Sequence, residues 1–177
     1  MEKYKFRPYN KDYPKLYERE LRKLRNILPK NFLIEHVGST AVLCLRGKGL
    51  IDVVIAVPKS KINSTKRLLE KSNYEFRPNA GDKHRLFFRK DYVSNNKTRR
   101  VHVHLTRYLS KPWCEMIAVR DYLRLNKKEA FRYEVVKRKA VKMAKGEGEI
   151  YRKYKSKYLA SLSKKALKHG LNNLYVH

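Results

Sequence analysis

The sequence predicts an α+β domain, a mixed β-sheet flanked by helices with a helical C-terminal third. Three observations carry that prediction. The chain opens with apolar residues at helical spacing, strand-type segments cluster between residues 32 and 108, and from Pro112 onward the apolar pattern is helical only. At 177 residues the chain is long enough for one compact domain with a real core. Residues 1–177 therefore read as a single domain, with an α/β core over 1–110 and a helical region over 111–177.

Residues 12–28 place Leu16, Leu21, Leu24 and Leu28 at helical spacing, with Asp12 as N-cap and Pro14 in the first turn; Pro29 stops the helix. Residues 32–37 (FLIEHV) read as a short buried strand running into Gly38-Ser39-Thr40, where a short helical stretch begins. Residues 50–57 (LIDVVIAV) are rich in β-branched residues and predict a central strand buried on both faces, closed by Pro58. A crossover helix is expected over 61–72. Strands follow over 73–77, 84–90 and 99–108, separated by turn residues at 78–82 and 94–96. Helices are expected over 113–125, 127–145 and 147–168, with a break at Gly146-Glu147-Gly148. Cys44 and Cys114 lie far apart without metal-ligand spacing and read as reduced core thiols.

The charge balance narrows the function. Forty-four Lys+Arg against 16 Asp+Glu give a formal net charge of +28. With 42% hydrophobic residues and 13 Tyr, the chain has too much buriable surface for a disordered basic tail. No apolar run reaches the roughly 18 residues of a membrane span, and the opening MEKYKFRPYN lacks a signal-type apolar stretch, so a cytoplasmic protein with no membrane partner is expected. The charge is spread out: residues 1–110 carry +16 and residues 111–177 carry +12. Such a field attracts polyanions without base specificity, with an affinity that falls as salt rises. A nucleotide or polyanion is the expected partner; RNA rather than DNA is expected only by analogy with nucleotidyltransferases.

The densest chemical signal is IEHVGSTAVLCLRGKGLIDVVIAV. A strand ends in a Gly-Ser turn, and the next strand carries Asp52 near its start, thirteen residues after Ser39. Gly38 lets backbone approach a bulky anion, Ser39, Thr40 and nearby amides can donate to phosphate oxygens, and a carboxylate can hold a divalent metal bridging those oxygens. That is the general layout of a nucleotidyltransferase site; a tight turn followed by a strand-end Asp is the structural alternative. In a strand His102 and His104 share a face, and if Asp52 shares it too, two imidazoles and a carboxylate converge, a set suited to a transition metal or to acid/base work. His36 adds an imidazole just before the turn. Lys48, Arg85 and Arg89 are candidate phosphate grips, the two arginines sharing a strand face. Arg120 and Asp121 read as a salt bridge that fixes the site wall.

The chain resembles the GrpB family, small proteins with a nucleotidyltransferase-like fold. The resemblance rests on Ile34-Glu35-His36-Val37-Gly38-Ser39-Thr40-Ala41-Val42, Lys48, Ile51-Asp52, Arg85-Leu86-Phe87-Phe88-Arg89, His102 and His104, and Val119-Arg120-Asp121-Tyr122-Leu123-Arg124. Pro8-Tyr9 and the stretch from Tyr13-Pro14 to Tyr17-Glu18 also match, so coverage runs from about residue 4 to residue 160. It implies a nucleotidyltransferase-like sheet, a nucleoside triphosphate as ligand, and a divalent metal (magnesium or manganese, with zinc possible) on Asp52, with His102 and His104 as further ligands or catalytic groups. The chain departs from the family pattern where prolines are lost over residues 42–49, which predicts a looser loop. It departs again at Val54, which stands where working nucleotidyltransferases carry a second acid. Two readings follow: a transferase moving a nucleotidyl group to RNA or a small acceptor, or a catalytically inactive nucleotide- or RNA-binding module of the same fold.

Overall fold

The computed structural model describes residues 6–94 and 97–174, with side chains described for 6–93 and 97–170. Helix α1 (Tyr13–Ile27) begins with a proline in its first turn and turns Tyr13, Leu16, Glu20 and Leu24 inward. Asp12 holds the N-cap position but its side chain caps nothing; the Asn10 carboxamide accepts the Asp12 N–H at 2.8 Å and shapes the turn instead. Leu28 is extended, as the residue before Pro29 must be.

The sheet holds β1 (Leu33–Val37), β2 (Ile51–Val57), β3 (Glu75–Phe76), β4 (Arg85–Ser94) and β5 (Lys97–Arg107). Its order is β1-β2-β5-β4-β3, with β2 parallel to β5 and the other pairs antiparallel, so it is mixed. The parallel pair needs a crossover, and α2 (Ile62–Lys71), entered through a 3-10 turn at Lys59–Lys61, supplies its first part. Strand β2 is interior, with Val53 through Val57 all at 0% exposure, although β5 rather than β2 is the middle strand. Helices α3 (Lys111–Leu125), α4 (Lys127–Ala144) and α5 (Gly148–Leu174) form the C-terminal region.

Alternation splits the sheet into two faces. Ile51, Val53, Ile55 and Val57 of β2 with Val101, Val103 and Leu105 of β5 and Phe88 of β4 form one core with α1 and Leu69 of α2. On the other face Val37, Val54 and Ala56 pack against Trp113 of α3, while a second cluster joins Val42 and Leu45 to Leu123, Tyr133 and Leu162 of α3–α5. The even residues Asp52, His102 and His104 lie on this second face, toward the helices.

Three expectations are corrected. The strand expected over 73–77 shrinks to two residues, because Asn73 takes a positive φ of 64° and Tyr74 is drawn into the core, where its hydroxyl donates to the buried Glu20 carboxylate. The β4–β5 hairpin is longer than expected, since pairing runs on to Ser94 and Lys97. Cys44 is not a core thiol: it is exposed, with φ 63°, while Cys114 is half-buried beside Trp113. Among the described residues no helix is long and apolar enough to cross a membrane.

Candidate functional site

The site is built at the start of β2. Register alone aligns Val37, Asp52, His102 and Arg89 across four strands, with Glu35, Val54, His104 and Phe87 in the next row. Asp52 and the two histidines thus converge on one face without help from any loop. His102 Nδ1 lies 3.1 Å from Asp52 Oδ1 and His104 Nε2 lies 3.9 Å from the same oxygen. A carboxylate only accepts, so His102 carries its proton on Nδ1. The guanidinium of Arg85 donates to His104 Nδ1 at 2.8 Å, which leaves the proton of a neutral His104 on Nε2, facing Asp52. The Phe87 ring sits edge-on to both imidazoles, 4.9 and 5.2 Å away, and holds them side by side.

The turn before β2 fits this carboxylate. Gly38 has φ 74° and ψ −169°, a backbone region open essentially to glycine alone, and a Cβ there would overlap Asp52 Oδ2. Burial works against ionising Asp52, but hydrogen bonding and charge from His102 and His104 outweigh it and hold the carboxyl well below the usual carboxylate range. Burial lowers the pKa of His104, and the Arg85 charge adds to that against the pull of Asp52.

The loop over residues 42–49 forms the opposite wall. It is tethered rather than loose. Arg7 and Gly47 exchange backbone hydrogen bonds at 2.7 and 3.1 Å, Leu45 is buried, and the Arg46 carbonyl accepts from the Lys137 ammonium. Gly47 leaves room for Ser39, whose Oγ a Cβ at that position would overlap. Lys48 Nζ stands 3.6 Å over the Tyr151 ring of α5. Burial, then Lys155, pushes Lys48 down to about 7 against the pull of Asp52. Lys137, 3% exposed on α4, is likewise pushed to about 7, by burial first. Asp52 is therefore an ionised acid inside a wall of amines.

A model of the GrpB protein family matches residues 3–165. The chain belongs to the GrpB family. It is 33% identical to a UPF0157 protein of Halalkalibacterium halodurans over 89% of this chain and 80% of that one. It is 25% identical to the glutamate-rich protein GrpB of Alkalihalophilus pseudofirmus over 85% of this chain and 88% of that one. The crystal structure of GrpB from Enterococcus faecalis superposes with a TM-score of 0.79 at 27% identity, covering 94% of this chain and 99% of the other. A mutant of the Cid1 poly(U) polymerase bound to MgATP superposes with a TM-score of 0.50 at 12% identity, over 73% of this chain and 43% of that one. The fold is that of the nucleotidyltransferase-like proteins.

Within this GrpB-family chain several expected site residues take other positions. His36 points to the apolar face, paired with Val53 and stacked on Tyr17 at 4.5 Å, so it brings no third imidazole to Asp52. It braces the turn instead: its Nε2 lies 2.9 Å from the Thr40 hydroxyl, which in turn donates to the Leu50 carbonyl at 2.9 Å. Burial pushes His36 down to about 4, so it is a neutral Nε2–H donor. Thr40, 2% exposed and engaged on both sides, is a strut and not a phosphate ligand. Arg89 is paired with Glu75 at 2.9 Å and Asp91 at 3.9 Å, and Arg85 with Asp82 at 3.3 Å as well as His104. Both expected phosphate grips are held by other groups.

Arg120 does what its position predicted, reaching from α3 to Glu35 and Asp121 at 2.7 Å each and to the His36 carbonyl. Two contributors escaped the sequence reading. Arg124 donates to the Ala41 carbonyl at 2.9 Å and clamps the turn. Lys137 belongs to the basic run Lys137-Arg138-Lys139, yet it lies on the inward stripe Tyr133, Lys137, Ala140, Ala144, a spacing legible in the sequence.

Among the described residues no group of three or more His, Cys, Asp or Glu side chains is disposed to hold a metal ion. The protons of His102 and His104 face Asp52, which makes them partners of the carboxylate rather than co-ligands. Val54, where a second acid would stand, is fully buried near Trp113. A resident two-metal cage does not fit these residues. A single hard cation that arrives with phosphate and water oxygens needs only one protein carboxylate, and Asp52 fits that.

Proposed function

We propose that this chain binds a nucleoside triphosphate together with its divalent cation, at the Gly38-Ser39 turn, as a nucleotide-binding protein rather than a two-metal transferase. The observation that carries this reading is the contact between Gly38 and Asp52. A glycine-only backbone is kept where an ionised carboxylate, itself held by two imidazoles, comes up against a turn facing Lys48. Asp52 would hold the cation, which supplies charge neutralisation of the phosphates; Ser39 and Lys48 would take phosphate oxygens, and Lys137 would keep the Gly47-Lys48 backbone in place. The MgATP seen in a structural neighbour supports the ligand class. The buried Val54 favours binding over turnover.

The test is calorimetric titration of the four ribonucleoside triphosphates, with and without magnesium or manganese, at physiological salt. Metal-dependent binding that Asp52→Asn weakens at least about tenfold is expected; equal affinity in the two proteins overturns the reading. A second reading, transfer to RNA, is favoured by the His102–Asp52 pair, which can accept a proton from an attacking hydroxyl. Label transfer to RNA that Asp52→Asn abolishes would establish it.

A further inference from the structure

A surface cavity of about 400 Å³ lies at the far end of the sheet from Asp52, within the size range of small-ligand sites. Its wall carries Lys59, Lys83, Arg85 and Arg107 with His84, and no carboxylate lines it. Lys59, Lys83 and Arg107 are exposed, and none has an ion-pair partner among the described residues. Asp82, the nearest acid in sequence, is engaged by Arg85 Nε at 3.3 Å and by the His84 N–H at 2.9 Å.

Three further features give the cavity a direction. Ile62 and Asn63, the first two residues of α2, line it, so the positive end of a ten-residue helix adds to the cationic wall. The half-buried Ile62 and Leu86, with Leu105 beneath, give it an apolar floor. Arg107 pairs with Val57 and shares the face of Val103 and Leu105, so it points away from the Asp52 face and stands five residues, about 16 Å, beyond His102 along β5.

Unpaired guanidinium and ammonium groups over an apolar floor match a ligand that is part anion and part flat or apolar. We propose that this cavity is a second nucleotide site, gripping a phosphate with Arg107, Lys59 and Lys83 while the base packs on Ile62 and Leu86. The proposal does not rest on the Asp52 reading, although Arg85, which lines the cavity, also donates to His104. The same chemistry is offered by a free nucleoside monophosphate and by one nucleotide of a single-stranded RNA.

The test separates these sources and controls for the overall charge. Lys59→Glu combined with Arg107→Glu is compared with Lys164→Glu combined with Lys168→Glu, an exposed pair on α5 carrying the same charge change. Each protein is titrated with nucleoside 5′-monophosphates by calorimetry and with a fluorescent single-stranded RNA octamer by anisotropy, at physiological salt. All replaced side chains are exposed, and matched melting curves confirm folding. The cavity pair is expected to weaken binding at least about tenfold more than the control pair. Loss in both arms identifies the free nucleotide as ligand, and loss with RNA alone identifies the RNA. Equal effects of the two pairs, or no binding of either probe by the unaltered protein, overturns the proposal. Asp52→Asn is expected to leave this binding unchanged, so failure here and failure of the Asp52 reading are distinguishable.

Discussion

The two faces of one sheet differ more than the two ends of the chain do. Strands β2 and β5 send Val53, Ile55, Val57, Val101, Val103 and Leu105 to one side, all at 0% exposure. The same strands send Asp52, His102 and His104 to the other, where 22%, 20% and 14% of the side-chain surface stays open. A strand's period of two thus makes one face wholly apolar along these strands, while the other carries the polar groups where β2 begins and turns apolar again at Val54 and Ala56 against Trp113. Substitutions on the two faces should therefore give opposite phenotypes. Ile55→Ala is expected to lower unfolding free energy by about 4 kcal/mol while leaving nucleotide affinity of the folded fraction unchanged. His104→Ala is expected to do the reverse. Chemical denaturation beside nucleotide titration checks both; a His104→Ala protein as unstable as Ile55→Ala would erase the distinction.

His36 is the exception that sharpens the comparison, a titratable group on the apolar face. Burial sets its folded pKa at about 4, below its ordinary 6.5. The unfolded chain therefore binds the extra proton first, and stability falls as pH drops from 6.5 to 4, by up to about 3 kcal/mol. Asp52 acts in a different window. Its folded pKa is depressed, so its contribution is present above the usual carboxylate range and is lost only as pH falls below it. Denaturant midpoints at pH 7 and pH 4.5 separate the two. The loss between these pH values is expected in the unaltered protein and smaller in His36→Gln, where His104 with its lowered pKa still contributes; an equal loss in both would move the acid sensitivity elsewhere.

Gly38 joins the polar face to the turn. Gly38→Ala asks an L-residue to adopt φ 74° with ψ −169° and to push its Cβ into Asp52. A cost of about 2 kcal/mol is expected. Nucleotide affinity should fall further than stability does, because the Asp52 carboxylate must move. A variant that binds normally would detach the turn from the site.

What the sequence made legible follows from these periods. The alternation in Val101-His102-Val103-His104-Leu105 showed that the imidazoles share a face, and the β-branched run of β2 showed an interior strand. Both depend only on local geometry. The direction of His36 was equally readable from parity, since it neighbours Val37, yet its place before the turn suggested otherwise. The burial of Lys137 needed α4 to be packed against the loop at Gly47, a tertiary fact that its neighbours in a basic run concealed. Cross-strand register decided the fate of Arg89, and no pattern within β4 alone reveals that Glu75 of β3 sits opposite it.

Arg89 gives the finest test, because it lies on the polar face, opposite His102, yet is bound to acids. Its guanidinium meets Glu75 at 2.9 Å and Asp91 at 3.9 Å, and all three side chains are about a third to a half exposed. Pairs so open to solvent contribute little to stability. Held by two carboxylates, Arg89 is also poorly placed to take a phosphate, in contrast to Lys48, which stands over Tyr151 and feels Asp52. Arg89→Ala is thus expected to leave the melting temperature nearly unchanged and nucleotide affinity within about twofold, whereas Lys48→Ala should weaken binding about tenfold. A tenfold loss on Arg89→Ala would mean that the arginine leaves Glu75 when a nucleotide arrives, and the polar face would then extend one strand further than its resting ion pairs indicate.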